Sequence, residues 1–251
     1  MPIALITGAS AGLGRALARD LAARRWRLII DGRRQEELAS TAVELSPITE
    51  VTAIAGDVAD EAHRQALLAA VQHDGALDLL VNNASTLGST PLRPLPRTVT
   101  SDLAQVLQVN VLAPFALTRA LLPAVERAGG VVLNISSDAA VEHYPTWGSY
   151  GASKAALDHL TATFAAEQQS ERTAKPQLTR DIRFYAVDPG DMNTAMQQAA
   201  FPGEDVSDRR PPAEVVPALI DLITHRPPSG RYRAGTGAVV PDSSTRAAVA
   251  W

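Results

Sequence analysis

Tyr150-Gly151-Ala152-Ser153-Lys154 sets a phenol and an ammonium four residues apart. In a helix, side chains at i and i+4 share one face. A free phenol titrates near ~10, and a nearby cation favours the phenolate. The pair could therefore exchange a proton with an alcohol or a carbonyl near neutral pH, although most Y-x-x-x-K pairs are ordinary surface residues. Ser137 lies thirteen residues earlier, just past the apolar run Val131–Ile135. Its hydroxyl could hold the substrate oxygen while Tyr150 moves the proton. Ser136 competes for that part, and serines at strand ends are commonly structural. Asn110 sits inside a helical pattern, where asparagine is a poor helix former. Pro114, four residues on, has no N–H to give the Asn110 carbonyl. That carbonyl could hold a water linked to Lys154; the plain alternative is a proline kink.

A second constellation opens the chain. Thr7-Gly8-Ala9-Ser10-Ala11-Gly12-Leu13-Gly14 joins an apolar run to a helical pattern. Glycines there permit a tight turn and let backbone N–H groups approach a pyrophosphate at a helix N-terminus. The spacing is G-x-x-x-G-x-G rather than G-x-G-x-x-G, and a structural turn is the bland alternative. The next strand ends Ile30-Asp31-Gly32-Arg33-Arg34. An acid at this point suits a free ribose 2′-hydroxyl and an arginine suits a 2′-phosphate, so Asp31 and Arg33 pull in opposite directions. Asp57-Val58 closes the third strand and could meet an adenine, and Asn82-Asn83-Ala84 closes the fourth.

The elements that must position these groups alternate along the chain. Strands are expected at Ile3–Ile6, Arg27–Ile30, Val51–Ala55, Leu77–Val81, Gly130–Ile135 and Ile182–Val187. Helices are expected at Arg15–Ala23, Gln35–Leu45, Glu61–Gln72, Thr100–Arg127, Tyr150–Gln168 and Ala213–Thr224. Repeated strand–helix units with near-continuous apolar strands predict an α/β, doubly wound parallel sheet, Rossmann-like. About seven strands with helices on both faces are expected, in a single domain spanning residues 1–251. Irregular segments at Thr86–Val99, Asp138–Ser149 and Asp191–Pro212 follow strand ends, where such sheets bind ligands.

Composition excludes several functions. The net charge of −4 lacks the basic footprint of a nucleic-acid binder. There is no cysteine, hence no disulfide, thiolate nucleophile or Cys-ligated zinc. His63, His73, His143, His159 and His225 form no H-E-x-x-H pattern, so no metal is expected. The start shows no basic n-region or apolar signal core, and the cytoplasm is the expected address. Ala104–Val125 is apolar but carries Gln105, Gln108, Asn110 and Arg119, so a buried helix rather than a membrane span is expected. Gly151-Ala152-Ser153-Lys154-Ala155 looks like a hydrolase nucleophile elbow, but it lacks the final glycine and a preceding strand.

Taken together, the chain resembles the short-chain dehydrogenase/reductase family from Ile3 to about Thr194. The T-G-x-x-x-G-x-G turn falls on Thr7, Gly8, Gly12 and Gly14, and the adenine pair on Asp57-Val58. The N-N-A-G motif falls on Asn82-Asn83-Ala84, with Ser85 in place of its glycine. The catalytic tetrad falls on Asn110, Ser137, Tyr150 and Lys154. Pro189-Gly190 with Thr194 matches the segment that meets the nicotinamide carboxamide. The discriminating acid of NAD-preferring relatives falls on Gly32, whereas the 2′-phosphate residue of NADP relatives falls on Arg33.

The resemblance implies hydride transfer between a nicotinamide and a carbonyl or secondary alcohol. NADP(H) is favoured, and Asp31 keeps NAD(H) possible. Implied cofactor contacts are Gly8, Ser10, Gly12, Leu13, Gly14, Arg33, Asp57, Val58, Asn83, Ala84, Tyr150, Lys154, Pro189, Gly190, Met192 and Thr194. In this reading Lys154 binds the ribose and acidifies Tyr150. Tyr144, Trp147, Met196 and Phe201 are expected to wall a largely apolar substrate pocket. Residues 191–212 read as a substrate lid, while Arg93, Arg97, Arg209 and Arg210 read as solvated charges. Relatives pair through two long helices, here near Leu103–Val125 and Ala152–Phe164, so a homodimer or homotetramer is expected. Ser170–Arg180 reads as a surface excursion. The end of the chain lacks the family's V-D-G-G, leaving 236–251 an atypical C-terminal segment. The competing reading is a non-catalytic sensor or scaffold of the same fold that binds a nucleotide.

Overall fold

Alternate residues of the inner strands enter different apolar layers, as they must in a sheet covered on both faces. Leu28 and Ile30 join one cluster and Ile29 the other. Leu79 and Val81 part from Leu80 in the same way, and Val131 and Leu133 from Val132. The computed structural model describes residues 1–73, 75–175, 177, 180–235 and 239–241. Its strands are β1 (Ile3–Ile6), β2 (Arg27–Gly32), β3 (Val51–Ala55), β4 (Leu79–Asn82), β5 (Val131–Ile135), β6 (Arg183–Asp188), β7 (Gly230–Ala234) and β8 (Val239–Pro241). The helices are α1 (Gly12–Ala23), α2 (Gln35–Leu45), α3 (Glu61–Gln72), α4 (Thr100–Leu107), α5 (Ala113–Ala128), α6 (Gly148–Ala174), α7 (Ala195–Ala200) and α8 (Pro212–His225).

The sheet runs β3-β2-β1-β4-β5-β6-β7-β8. Its pairs are parallel except for β8, which lies antiparallel on β7. On one face pack Leu13 and Leu17 of α1, Leu38 of α2, and Val215 and Leu219 of α8. On the other pack Leu67 and Val71 of α3 with Leu117, Leu121 and Val125 of α5. The chain winds outward from β1 to β3, then returns to lay β4 on the other side of β1. The connections after β1 and β4 therefore diverge and open a crevice at the carboxyl ends of the strands.

The doubly wound sheet is as expected, with eight strands rather than about seven. The last two form without the V-D-G-G ending; the remainder of 236–251 lies outside the described residues. α1 begins inside the glycine turn, three residues before Arg15. The expected helix Thr100–Arg127 is divided by a π-helical turn at Gln108–Leu112, placed just ahead of Pro114, where an ordinary turn would lack its N–H donor. By length and composition Thr100–Ala128 could cross a membrane, with mean hydropathy 1.4, but half of its most apolar window is buried in the fold. Ser170–Ala174 continues α6 rather than looping out, and α7 interrupts the segment read as irregular after Asp191.

Candidate active site

The glycine turn is locked to the end of β4. Gly8 has φ +67°, and a Cβ there would stand 2.9 Å from Asn83 Nδ2 and 3.0 Å from the Ala84 Cα, so no larger residue fits. The space is needed because Asn83 Nδ2 donates to the Thr7 and Gly8 carbonyls at 2.8 and 3.1 Å. Thr7 Oγ1 returns the contact by accepting the Asn83 and Ala84 N–H groups, both at 3.0 Å. Gly12, Leu13 and Gly14 form the first turn of α1; Gly12 and Leu13 line the crevice with Gly8 and Ser10, while a Cβ on Gly14 would meet Asn83 Nδ2 and the Gly8 carbonyl at 2.5 Å. Such a helix N-terminus suits a pyrophosphate.

Asp31 lines the cavity but is buried, with Oδ1 taking the Gly8 N–H at 2.6 Å and Oδ2 lying 3.0 Å from His63 Nε2. Burial pushes its carboxyl above the usual range, while His63 and Gly8 pull it back. Arg33 projects outward, 60% exposed, with Nη1 4.0 Å from Asp57 Oδ2. Gly32 leaves room for Ser10, whose Oγ would lie 2.9 Å from a Cβ placed there. Ser10, Arg33, Arg34, Asp57 and Val58 thus gather at one end of the crevice.

Ser137, Tyr150 and Lys154 line the other end; Asn110 does not, and bonds Ser85, which does. Tyr150 and Lys154 share a face of α6 as their spacing requires, with Lys154 Nζ 5.4 Å from the Tyr150 ring centre. Ser137 and Ser85 line the cavity with Tyr150. Ser136 is buried, whereas Ser137 is only partly so. Burial drives the Tyr150 phenol upward, and the hydroxyls of Ser137 and Ser85 oppose the rise. Lys154 Nζ donates to the Ile135 carbonyl at 2.7 Å, and burial brings its ammonium down to about 8, with Asp158 opposing. The Asn110 side chain is fully engaged with Ser85, Thr86 and Ser153. Ser153 is no nucleophile: it is buried within α6, donating to the Tyr150 carbonyl at 2.6 Å.

Sequence reasoning missed the support behind Ser137. Arg231 of β7 donates to the Ser137 carbonyl at 2.7 Å through Nη2 and to Asp158 Oδ2 at 2.7 Å through Nε. Asp158, one turn beyond Lys154, was readable from its i+4 spacing; Arg231, arriving from another strand, was not. Asp138 was also missed. Its Oδ1 accepts from Ser137 Oγ at 3.0 Å and its Oδ2 from the Tyr144 hydroxyl at 2.9 Å.

One cavity of about 970 Å³ joins the two ends and is lined by residues of every expected cofactor motif. Pro189, Gly190, Met192 and Thr194 border it opposite the glycine turn, and a Cβ on Gly12 would come within 3.6 Å of the Thr194 methyl. Trp147 packs edge-on to Tyr150 at 5.6 Å and tilted to Phe201 at 5.8 Å. Tyr144 and Met196 complete this apolar end. Arg93, Arg97, Arg209 and Arg210 do not line the cavity; Arg209 stacks on Phe201 at 4.4 Å, and Arg210 donates to the Pro189 carbonyl at 2.9 Å. The glycine turn, the helix start and the cavity of about 970 Å³ fit a dinucleotide.

Comparison with known proteins agrees with this geometry. The model of the short chain dehydrogenase family matches residues 2–205. The Escherichia coli oxidoreductase YciK is 31% identical over 88% of this chain and 85% of its own. The serine 3-dehydrogenase of Agrobacterium fabrum is 34% identical over 74% of this chain and 70% of its own. A short-chain dehydrogenase of Shigella flexneri, solved with NADP, superposes with a TM-score of 0.83 at 29% identity, covering 93% of this chain and 96% of that one. One from Escherichia coli, solved with NADPH, gives 0.82 at 30% identity over the same shares. With its doubly wound sheet, its glycine turn and its Ser-Tyr-Lys cluster at one crevice, this chain belongs to the short-chain dehydrogenase family of oxidoreductases.

Proposed function

We propose that the protein is an NADP(H)-dependent oxidoreductase that interconverts a carbonyl compound and a secondary alcohol, with Asn110, Ser137, Tyr150 and Lys154 as its working groups. The observation that carries this reading is the lining of one cavity by Ser137, Tyr150 and Lys154 together with the glycine turn. A bound nicotinamide dinucleotide supplies the hydride. Gly8, Ser10, Gly12, Leu13 and Gly14 would hold its pyrophosphate side, and Asp57, Val58, Asn83 and Ala84 its adenosine. Arg33 would take the 2′-phosphate, and Pro189, Gly190, Met192 and Thr194 would flank the ring. Relatives solved with NADP and NADPH support this coenzyme.

Tyr150 gives its proton to the substrate oxygen as the carbonyl is reduced, and takes it back in oxidation. Ser137 hydrogen-bonds that oxygen and stabilises charge developing on it. Lys154, with an ammonium brought down to about 8, can lose and regain a proton in the working range and so resupply Tyr150. The Asn110 carbonyl, in the π turn ahead of Pro114, holds the relay water. Trp147, Met196 and Tyr144 select an apolar substrate, and residues 191–212 close over it. The exposed Leu112 and Phe115, on the helices expected to pair, support association with a second copy. The test is oxidation of NADPH and NADH against a panel of aldehydes and ketones. Turnover supports the reading; coenzyme binding without turnover across the panel rejects it in favour of a sensor.

A further inference from the structure

Arg231 stands on β7, two strands away from β5, yet its side chain ends against Ser137. Register places Asn134, Ala186 and Arg231 in a row across β5, β6 and β7. Residues in such a row share a face of the sheet, and α6 covers this one. Asn134 Nδ2 donates to Thr161 Oγ1 at 2.7 Å, and Arg231 Nε to Asp158 Oδ2 at 2.7 Å. Ala186 between them is buried and carries only a methyl, which lets the long Arg231 side chain cross β6. Its Nη2 then donates to the Ser137 carbonyl at 2.7 Å. The same carbonyl accepts the Ala140 N–H at 3.1 Å. The Ser137 hydroxyl accepts the Ala139 N–H at 3.2 Å and donates to Asp138 Oδ1 at 3.0 Å. Arg231 thus ties the main chain of Ser137, and the turn that follows orients its hydroxyl.

The Arg231 side chain is 2% exposed and that of Asp158 11%, so both charges lie out of water. Desolvating two such charges offsets most of their attraction, and a buried ion pair is a weak source of stability. A planar fork of donors is a strong source of geometry. With Nε fixed on Asp158, the direction of Nη2 is set. We propose that Arg231 is a positioning residue for the reaction, which holds the main chain of Ser137 so that its hydroxyl meets the substrate oxygen. This rests on the oxidoreductase reading above. Asp158 aims the guanidinium from one helical turn beyond Lys154. The end of β5 and the helix that carries Tyr150 and Lys154 are therefore set against each other through one side chain.

The test is a double-mutant cycle between Arg231 and Ser137. Arg231→Lys keeps a cation opposite Asp158, but one nitrogen on a shorter reach cannot replace both prongs of the fork. This variant should unfold near the wild type in denaturant and bind NADPH with unchanged Kd. Its kcat for carbonyl reduction should fall by about tenfold, the scale of a misplaced reacting group. Arg231→Gln combined with Asp158→Asn, which leaves neither charge buried, should lose kcat by a similar factor. Ser137→Ala alone should lose about a hundredfold. Adding Arg231→Lys to Ser137→Ala should cost less than about twofold more, because Arg231 acts through that hydroxyl. Wild-type kcat in Arg231→Lys and in the charge-free pair would overturn the proposal. So would a loss that multiplies in full onto Ser137→Ala, since that is the mark of a general effect on packing. A wild-type chain without turnover, or a Ser137→Ala variant as active as the wild type, would instead reject the oxidoreductase reading and this proposal with it.

Discussion

Asp31 and His63 form a buried pair beneath the glycine turn, with Oδ2 and Nε2 3.0 Å apart and the other carboxylate oxygen holding the Gly8 N–H. The carboxylate at the end of β2 thereby anchors the glycine turn. Removing it with Asp31→Ala leaves two buried polar groups without partners, a loss of about 1–3 kcal/mol for each. The variant should unfold at lower denaturant and bind coenzyme at least about tenfold more weakly, since the turn loses its anchor. Asp31→Asn, which keeps an acceptor for Gly8, should bind nearly as the wild type does. Denaturant titration and coenzyme fluorescence check both; equal binding by the Ala variant would show that the turn stands without Asp31.

Arg33 is left as the side chain that can meet a 2′-phosphate. Charge-assisted contacts of this kind are worth about 1.5–3 kcal/mol, so Arg33→Ala should cut the preference for NADPH over NADH by about tenfold or more. The loss should fall on KM for NADPH and leave NADH nearly untouched. An unchanged ratio would move the phosphate site elsewhere, with Arg34 the next residue to test.

Asp138 puts a carboxylate against the hydroxyl of Ser137. Among the described residues the cations lining the cavity are Arg33 and Arg34 at its far end and Lys154, whose amine is tied to Ile135. A carboxylate attached next to the reacting carbonyl would face Asp138 with no cation to offset it, a repulsion of about 1–3 kcal/mol at such range. The kcat/KM of a keto acid should fall about tenfold or more below that of its methyl ester. Asp138→Asn should narrow the gap, and a gap unchanged by that substitution would acquit Asp138.

Burial lowers the Lys154 ammonium from 10.5 to about 8. The unfolded chain keeps that proton up to the higher value and the folded chain only to the lower one. Between them the unfolded state binds more protons, so stability rises with pH from about 8 to 10.5 on account of this group. Lys154→Met should be flatter than the wild type across that window in denaturant titrations. Parallel slopes would mean that Lys154 is not desolvated as the structure has it.

Much of this architecture was legible because it repeats locally. Apolar runs such as Leu79–Asn82 and the helical patterns between them fix a parallel sheet, and the i, i+4 spacing of Tyr150 and Lys154 fixes their common face. The π turn was half visible, in the pairing of Asn110 with Pro114. What escaped depends on contacts between distant segments. Nothing near Ser137 in the chain announces that Arg231 donates to its carbonyl, and nothing near Asp31 announces His63.

The central claim is that Tyr150 carries the proton at this site. Tyr150→Phe, shown by circular dichroism and coenzyme fluorescence to fold and to bind NADPH, is the direct measurement. The account predicts that kcat for carbonyl reduction falls by about a hundredfold or more, the share usual for a general acid. Wild-type turnover in that variant would contradict it.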